Sequence, residues 1–130
     1  MSRKRLLWID ERDVLAVHDR LLALHRGASG IRDRGLLESA LATPRQHDSY
    51  AEGVDTAALY TIAIVRNHPF VDGNKRAGFL AGVLFLEING FEFAASEEDV
   101  VESIFALAAG ELDESGYTAW LRSNSRRRKK

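Results

Sequence analysis

Apolar residues recur at intervals of three and four along most of this chain, the spacing that predicts amphipathic helices. The first such segment follows Asp10 and has four apolar residues on one face: Val14, Val17, Leu21 and Leu24. Asp10 is a suitable N-cap because acidic residues follow it in the first turn, and Gly27 is a suitable stop. Of the two histidines in the segment, we expect one to face solvent and the other to lie near the helix end.

Two more helices are predicted before residue 70. Asp33 can cap the first of them, and Pro44 is expected to end it. The second starts near Asp55 and should end by His68, because Pro69 disfavours a helical conformation in the residue before it. The stretch HDSYAEG between these helices is a polar connector of undefined structure.

The next segment, KRAGFLAGVLFLEING, predicts a helix that is apolar on all sides. Its large apolar residues are Phe79, Leu80, Val83, Leu84, Phe85, Leu86 and Ile88. A helix without a polar face is normally buried, so we expect it to be central to the domain. Gly78 and Gly82 lie four residues apart, which would let a neighbouring helix approach closely.

The last part of the chain repeats the helical pattern after a short break at Gly90 and an extended FEF. Ser96 and Asp99 have the spacing of an N-cap and its third helical residue. A short final helix is predicted around Tyr117 and Trp120. Because period-two alternation is almost absent, the predicted fold class is all-α, a compact bundle around one buried helix.

Composition narrows the class of protein. The chain has 130 residues, 45% hydrophobic and 28% charged, which is typical of one soluble domain, and it has no cysteine. It contains no apolar run long enough to cross a membrane and no signal-peptide pattern, so we expect a cytoplasmic protein. The net charge is −1, but the basic residues 126–130 contribute +5, leaving residues 1–125 at −6. We therefore predict one domain over 1–125, a disordered tail over 126–130, and no direct nucleic-acid binding.

The polar chemistry is concentrated in residues 66–76, RNHPFVDGNKR, where one helix ends and the apolar helix begins. The first turn of a helix has N–H groups without intrahelical partners and a partial positive charge, so it attracts anions such as phosphate. Gly73 lets a ligand approach the backbone, and Lys75 and Arg76 add two cations. Because cations at a helix N-terminus oppose the dipole, their presence indicates a compensating bound anion.

Two residues of this stretch have alternative interpretations. Asp72 can cap the helix, or it can hold Mg²⁺ bound to a substrate phosphate, since Mg²⁺ commonly uses one or two carboxylates with phosphates and water. His68 can be a structural loop residue, or it can be a base that deprotonates a hydroxyl attacking the bound phosphate. Phe70 is expected to anchor the loop in the core.

HPFVDGNKR resembles the signature of the Fic/Doc superfamily, His-x-Phe-x-(Asp/Glu)-(Ala/Gly)-Asn-(Gly/Lys)-Arg. With GIRDRGLLESAL upstream, the chain resembles the small death-on-curing (Doc) branch, whose members are toxins of toxin–antitoxin pairs. The resemblance implies that His68 is the general base and that Asp72 binds Mg²⁺. It also implies contacts of Asn74 and Arg76 with nucleotide phosphates and a nest for the anion at Gly73.

The residue after Asn74 separates two activities in this superfamily. Most Fic proteins have glycine there and transfer adenylyl groups from ATP, whereas Lys75 matches the Doc branch. The resemblance therefore implies an ATP-dependent protein kinase that phosphorylates a threonine of translation elongation factor Tu. Adenylylation, an inert antitoxin-binding module and a nucleic-acid binder using the basic tail are the alternatives.

A separate inhibitor is also implied. Many Fic enzymes have an inhibitory helix with the pattern Ser/Thr-x-x-x-Glu-(Gly/Asn), and SYAEG at 49–53 does not match it because its glutamate comes one position early. The resemblance therefore implies a Phd-like antitoxin as partner. From their position alone, Tyr50 and Glu52 are candidate contacts with the protein target.

Overall fold

A computed structural model describes residues 6–46 and 53–129 of the chain. In chain order the elements are α1 (Glu11–His25), α2 (Arg34–Gln46), α3 (Gly53–Asn67), α4 (Asn74–Ile88), β1 (Phe91–Phe93), α5 (Glu97–Ala108), α6 (Glu114–Ser123) and β2 (Ser125–Arg127). The predicted all-α class is confirmed, with a small two-stranded sheet added to the helices. The connector residues named above, Tyr50 and Glu52, lie outside the described residues.

The predicted helix starts are confirmed where a cap was visible in the sequence. The Asp10 carboxylate accepts a hydrogen bond from Asp13 N–H at 3.2 Å, and the Asp13 side chain accepts one from Asp10 N–H at 2.8 Å. This reciprocal pair is a capping box, which satisfies donors that a helix start leaves unpaired. Ser96 likewise accepts from Asp99 N–H at 3.1 Å at the start of α5.

The prediction that Pro44 ends α2 is wrong. Asp33 caps this helix as expected, accepting from Leu36 N–H at 3.0 Å, but α2 continues to Gln46. Pro44 lies inside α2 and is buried, so its ring packs as an apolar side chain although proline lacks the N–H for an intrahelical hydrogen bond. Burial of the ring offsets part of that cost.

The most deeply buried helix is α3, which corrects the expectation that α4 is central. Residues 60–65 of α3 are all buried, among them Tyr60 and Thr61, and α3 packs against α2, α4, α5 and α6. In α4, by contrast, Phe79, Leu80, Val83 and Leu84 are only half-buried. The apolar circumference of α4 is thus used partly against the small sheet and α5 rather than in the centre of the core.

Close packing of α3 on α4 depends on the two glycines that the sequence singled out. A Cβ on Gly82 would lie 2.4 Å from Thr61 Oγ1 and 2.9 Å from the Ala57 carbonyl oxygen. A Cβ on Gly78 would lie 2.9 Å from Val65 Cγ2. Thr61 Oγ1 also donates to the Gly78 carbonyl at 2.8 Å, so the backbones are in direct polar contact. This contact fixes the relative position of the two helices that flank residues 68–73, the motif loop.

Part of the basic tail is ordered, which differs from the disorder expected for residues 126–130. Strand β2 pairs antiparallel with β1, with Phe91 opposite Arg127 and Phe93 opposite Ser125. The Arg127 guanidinium lies 4.9 Å from the centre of the Phe91 ring, so the arginine covers an aromatic side chain of β1. The domain limit at residue 125 itself stays a prediction. Within the described residues, no helix is long and apolar enough to cross a membrane.

Candidate functional site

The loop between α3 and α4 is built around Phe70 and Asn74. Phe70 is 1% exposed, which confirms it as a buried anchor. The Asn74 side chain, itself 6% exposed, accepts from Phe70 N–H at 2.9 Å and donates to the Phe70 carbonyl at 3.0 Å. Both main-chain groups of Phe70 are thus bonded to one amide, which ties the loop to the first turn of α4.

His68 lies at the start of this loop and is exposed. Its Nδ1 is 3.4 Å from Asn74 Nδ2, a long contact that holds the ring only weakly. Its φ of 50° is in the left-handed region, which is uncommon for a residue with a side chain and is typical of constrained sites. His68 therefore presents its ring to solvent from a backbone that the neighbouring structure holds in place.

Arg32, before α2, supplies much of that support. Its Nε donates to the His68 carbonyl at 2.7 Å, and a terminal nitrogen donates to the Asn67 carbonyl at 3.0 Å. Its own N–H donates to the Pro69 carbonyl at 2.7 Å. These bonds satisfy carbonyls at the end of α3 that have no intrahelical partner. The stretch GIRDRG contains this residue, but no local pattern in the sequence indicated its role.

His18 of α1 also belongs to the site, contrary to the expectation that a histidine of this pair faces solvent. It is 2% exposed, and its Nε2 donates to the Asp72 carbonyl at 2.7 Å. The spacing of apolar residues in the sequence could have indicated that His18 is buried, because it lies four residues after Val14 and three before Leu21 on the same face of α1.

Five of the predicted site residues line one pocket of about 230 Å³ between the end of α1 and the start of α4. They are Asp72, Gly73, Asn74, Lys75 and Arg76, and the other lining residues are Leu21, Leu22 and His25 of α1 and its C-cap residue Arg26. His68 is not part of this lining, and its link to the pocket is the contact with Asn74. The contribution of α1 was missed because the sequence alone does not show that its C-terminus meets the motif.

The pocket is electropositive. Arg26, Lys75 and Arg76 line it with a single carboxylate, Asp72, and in residues 6–46 and 53–129 none of these three cations has an ion pair. Gly73 has a φ of 77° and is the N-cap of α4, where no side chain accepts from the first-turn N–H groups. Helix dipole, unpaired donors and cations therefore all favour an anion at this point.

The Asp72 carboxylate does not cap α4, which removes one of its two interpretations. Its Oδ1 accepts from the Gly73 N–H at 2.8 Å, and its Oδ2 lies 2.9 Å from where a Cβ on Gly27 would be. The described residues contain no group of three His, Cys, Asp or Glu side chains that could hold a metal ion alone. One exposed carboxylate beside a helix start that favours anions fits Mg²⁺ that would be held mainly by substrate phosphates and water.

Lys75, which follows Asn74 in the first turn of α4, points toward α5. Its Nζ lies 5.2 Å from the centre of the Phe105 ring, a cation–π contact. Phe105 is otherwise exposed, so this lysine covers part of an apolar side chain while it lines the pocket.

Comparison with known proteins agrees with this arrangement. The model of the Fic/DOC family matches residues 8–86, which include the motif loop and the α1 residues of the pocket. The chain is 38% identical to "Toxin Doc" of Mycolicibacterium smegmatis over 92 residues, 68% of each protein. It is 30% identical to "Protein kinase doc" of Escherichia phage P1 over 117 residues, 88% of this chain and 92% of the relative. The chain therefore belongs to the Fic/Doc family, in its Doc toxin branch.

Proposed function

We propose that this protein is the toxin of a toxin–antitoxin pair and an ATP-dependent protein kinase. The observation that carries the proposal is the electropositive pocket at the uncapped start of α4, lined by the five consecutive residues 72–76. It is supported by the similarity to a relative named as a protein kinase over 88% of this chain. The proposed target is a threonine of an elongation factor Tu-like protein, whose phosphorylation would stop translation in the cytoplasm.

In the proposed reaction, the terminal phosphates of ATP lie at the N-terminus of α4. Main-chain N–H groups of residues 74–76 and the cations of Lys75 and Arg76 would neutralise the phosphate charge. The Asn74 side chain is already bonded to Phe70, so its proposed contact with phosphate would come from its main-chain N–H. Asp72 would hold Mg²⁺, which supplies charge neutralisation between the phosphates when it is bound.

The proposed chemical step is a transfer of the γ-phosphoryl group. The threonine oxygen forms a bond to the γ-phosphorus as the bond from that phosphorus to the bridging oxygen breaks, and ADP leaves with the electron pair. His68 accepts the hydroxyl proton, for which its exposed ring is accessible to a protein substrate. Because phosphoryl transfer depends mainly on positioning and charge stabilisation, a small set of groups is sufficient.

The test is incubation of the purified protein with Mg²⁺, elongation factor Tu and ATP labelled in either the α or the γ position. We expect γ-label on a threonine and a loss of at least about a hundredfold with His68→Ala. Glu87→Gln is a matched control, because Glu87 is exposed at the other end of α4 and its side chain has no described contact. Transfer of the α-label would instead show an adenylyltransferase. If no label is transferred, and if His68→Ala is as toxic on expression as the wild type, the protein is an inert binding module.

The proposed partner is a Phd-like antitoxin that restrains the enzyme. Both relatives carry Doc names, and the first is named as a toxin. We expect co-expression of the antitoxin to abolish labelling by the wild-type protein. Labelling that is unchanged at saturating antitoxin would contradict this part of the proposal.

A further inference from the structure

His18 contacts the motif loop at two points and lies beside the Gly73 turn, although it is 54 residues from Asp72 in the chain. We infer that His18 is a positioning residue that sets the orientation of the Asp72 carboxylate and the Gly73 turn. The inference rests on the proposed function for its catalytic consequence, but the structural part can be measured without ATP.

The first contact is an aromatic stack. The His18 and Phe70 rings are 3.9 Å apart between centroids and inclined by 9°, and both side chains are almost fully buried. Parallel rings at this distance are in van der Waals contact over most of their area. The anchor of the motif loop is therefore packed directly on α1 through His18.

The second contact acts through one peptide plane. His18 Nε2 donates to the Asp72 carbonyl at 2.7 Å, and because a carbonyl only accepts, Nε2 bears the proton. The same peptide unit contains the Gly73 N–H, which donates to Asp72 Oδ1 at 2.8 Å. Since the peptide is planar, fixing its carbonyl from α1 also fixes the N–H that orients the carboxylate.

The third observation is the place of the ring beside the turn. A Cβ built on Gly73 would lie 3.5 Å from His18 Nε2, so the imidazole edge occupies the side of the turn toward which a side chain at this position would project. Gly73 has the left-handed conformation that starts α4, and the ring closes the side of the turn that faces α1. Without the ring, the peptide between Asp72 and Gly73 has room to rotate and to take the carboxylate with it.

The experiment compares His18→Phe, which keeps a ring for stacking but removes the donor, with His18→Gln, which keeps an N–H donor but removes the ring. Tyr60→Phe is the control, because it also removes a buried donor to a carbonyl, here the Tyr60 hydroxyl that donates to the Ile9 carbonyl at 3.4 Å. Hydrogen exchange of the amides in residues 70–76 reports loop order. The Mg²⁺ concentration for half-maximal activity and the separate kcat and KM for ATP report catalysis.

For His18→Phe we expect exchange at Gly73 to accelerate about tenfold, while exchange in α5 and α6 stays as in the wild type. We also expect the half-maximal Mg²⁺ concentration to rise and kcat to fall about tenfold. Both effects should be smaller in His18→Gln, because this variant keeps an N–H donor. Tyr60→Phe should show neither effect.

Unchanged exchange at Gly73 in both His18 variants would overturn the inference, and so would equal acceleration along the whole chain, which would show a general loss of stability. If the wild-type protein transfers no phosphate, the proposed function fails, while the exchange result still decides whether His18 orders the turn. Faster exchange at Gly73 with unchanged Mg²⁺ dependence and kcat would overturn its role in positioning Asp72 for the reaction.

Discussion

Gly27→Ala should impair activity without reducing stability. A Cβ at this position would lie 2.9 Å from Asp72 Oδ2, about half an ångström closer than the 3.4 Å at which ordinary contacts begin. The carboxylate is the end of an exposed side chain, so it can move away at little cost. Because Gly27 is not among the residues with positive φ, alanine is also compatible with the local backbone.

The magnitude follows from the displacement. A misplacement of about 1 Å in an active site can cost about a hundredfold in rate, so half of that distance should cost about tenfold. The free energy of unfolding should stay equal or rise by up to about 1 kcal/mol, because alanine restricts the unfolded chain more than glycine does. The variant thus moves one carboxylate while the stability of the fold is kept, so the effect of the carboxylate position on activity can be measured alone.

The assay is a titration of kinase activity with Mg²⁺, combined with urea unfolding of the same samples. Gly116→Ala is the matched control, since its Cβ would lie 2.6 Å from the end of the Leu112 side chain in a part of the protein that does not line the pocket. We expect the control to keep its activity. Full activity of Gly27→Ala, or a loss of activity that follows a loss of stability, would refute the reasoning.

Three further predictions concern stability. Burial raises the pKa of Tyr117 above its usual value of about 10, so above that pH the unfolded state releases a proton that the folded state keeps, and stability should fall by up to about 1.4 kcal/mol per pH unit. Tyr117→Phe should remove that share of the slope in urea titrations between pH 9 and 11, and an unchanged slope would contradict this. Arg26 has φ 57° and ψ 142°, a conformation that favours glycine. Arg26→Gly should therefore raise the free energy of unfolding in urea by about 1 kcal/mol and weaken ATP binding. A lower urea midpoint would show that the backbone is not strained. Gly82→Ala should lower the free energy of unfolding by about 1–3 kcal/mol, because the added methyl group overpacks the contact between α3 and α4. Thermal unfolding that matches the wild type would show that the two helices can move apart without cost.

Local features of the fold were predictable because the groups that determine them are close in the sequence. The caps at Asp10 and Ser96 depend on residues three positions away, and both were found. The glycine pair in α4 was also found, since four-residue spacing places both on one helix face. The end of α2 was missed because Pro44 is buried in this helix, and that packing is not visible in the local sequence.

The identity of the central helix was not predictable from apolarity alone. Helix α3 contains Thr56 and Thr61, which gave it a less apolar pattern than α4, yet both threonines are buried. Thr61 is compatible with the core because its hydroxyl donates to the Gly78 carbonyl of α4. Such pairing across helices depends on the tertiary arrangement, which a single helix pattern does not contain.

The candidate site was predictable in its contiguous part only. Residues 72–76 line one pocket because they form one turn and the start of one helix. Arg32 and His18 act on the same loop from 36 and 54 residues away, and nothing in their local sequence indicates a partner. The motif therefore located one side of the pocket, while the residues that hold the loop in shape became visible only in the fold.

The paired tail has a practical consequence for protein production. A chain ending before Ser125 would leave β1 with a bare edge, a row of unpaired backbone groups next to Phe91 and Phe93 that can recruit a second chain into a sheet. Removing residues 126–130 to test nucleic-acid binding would thus introduce an aggregation hazard unrelated to charge. Replacing Arg128 and Lys129 with glutamine tests the charge while it keeps both strands, and an affinity tag is safer after a spacer at this end.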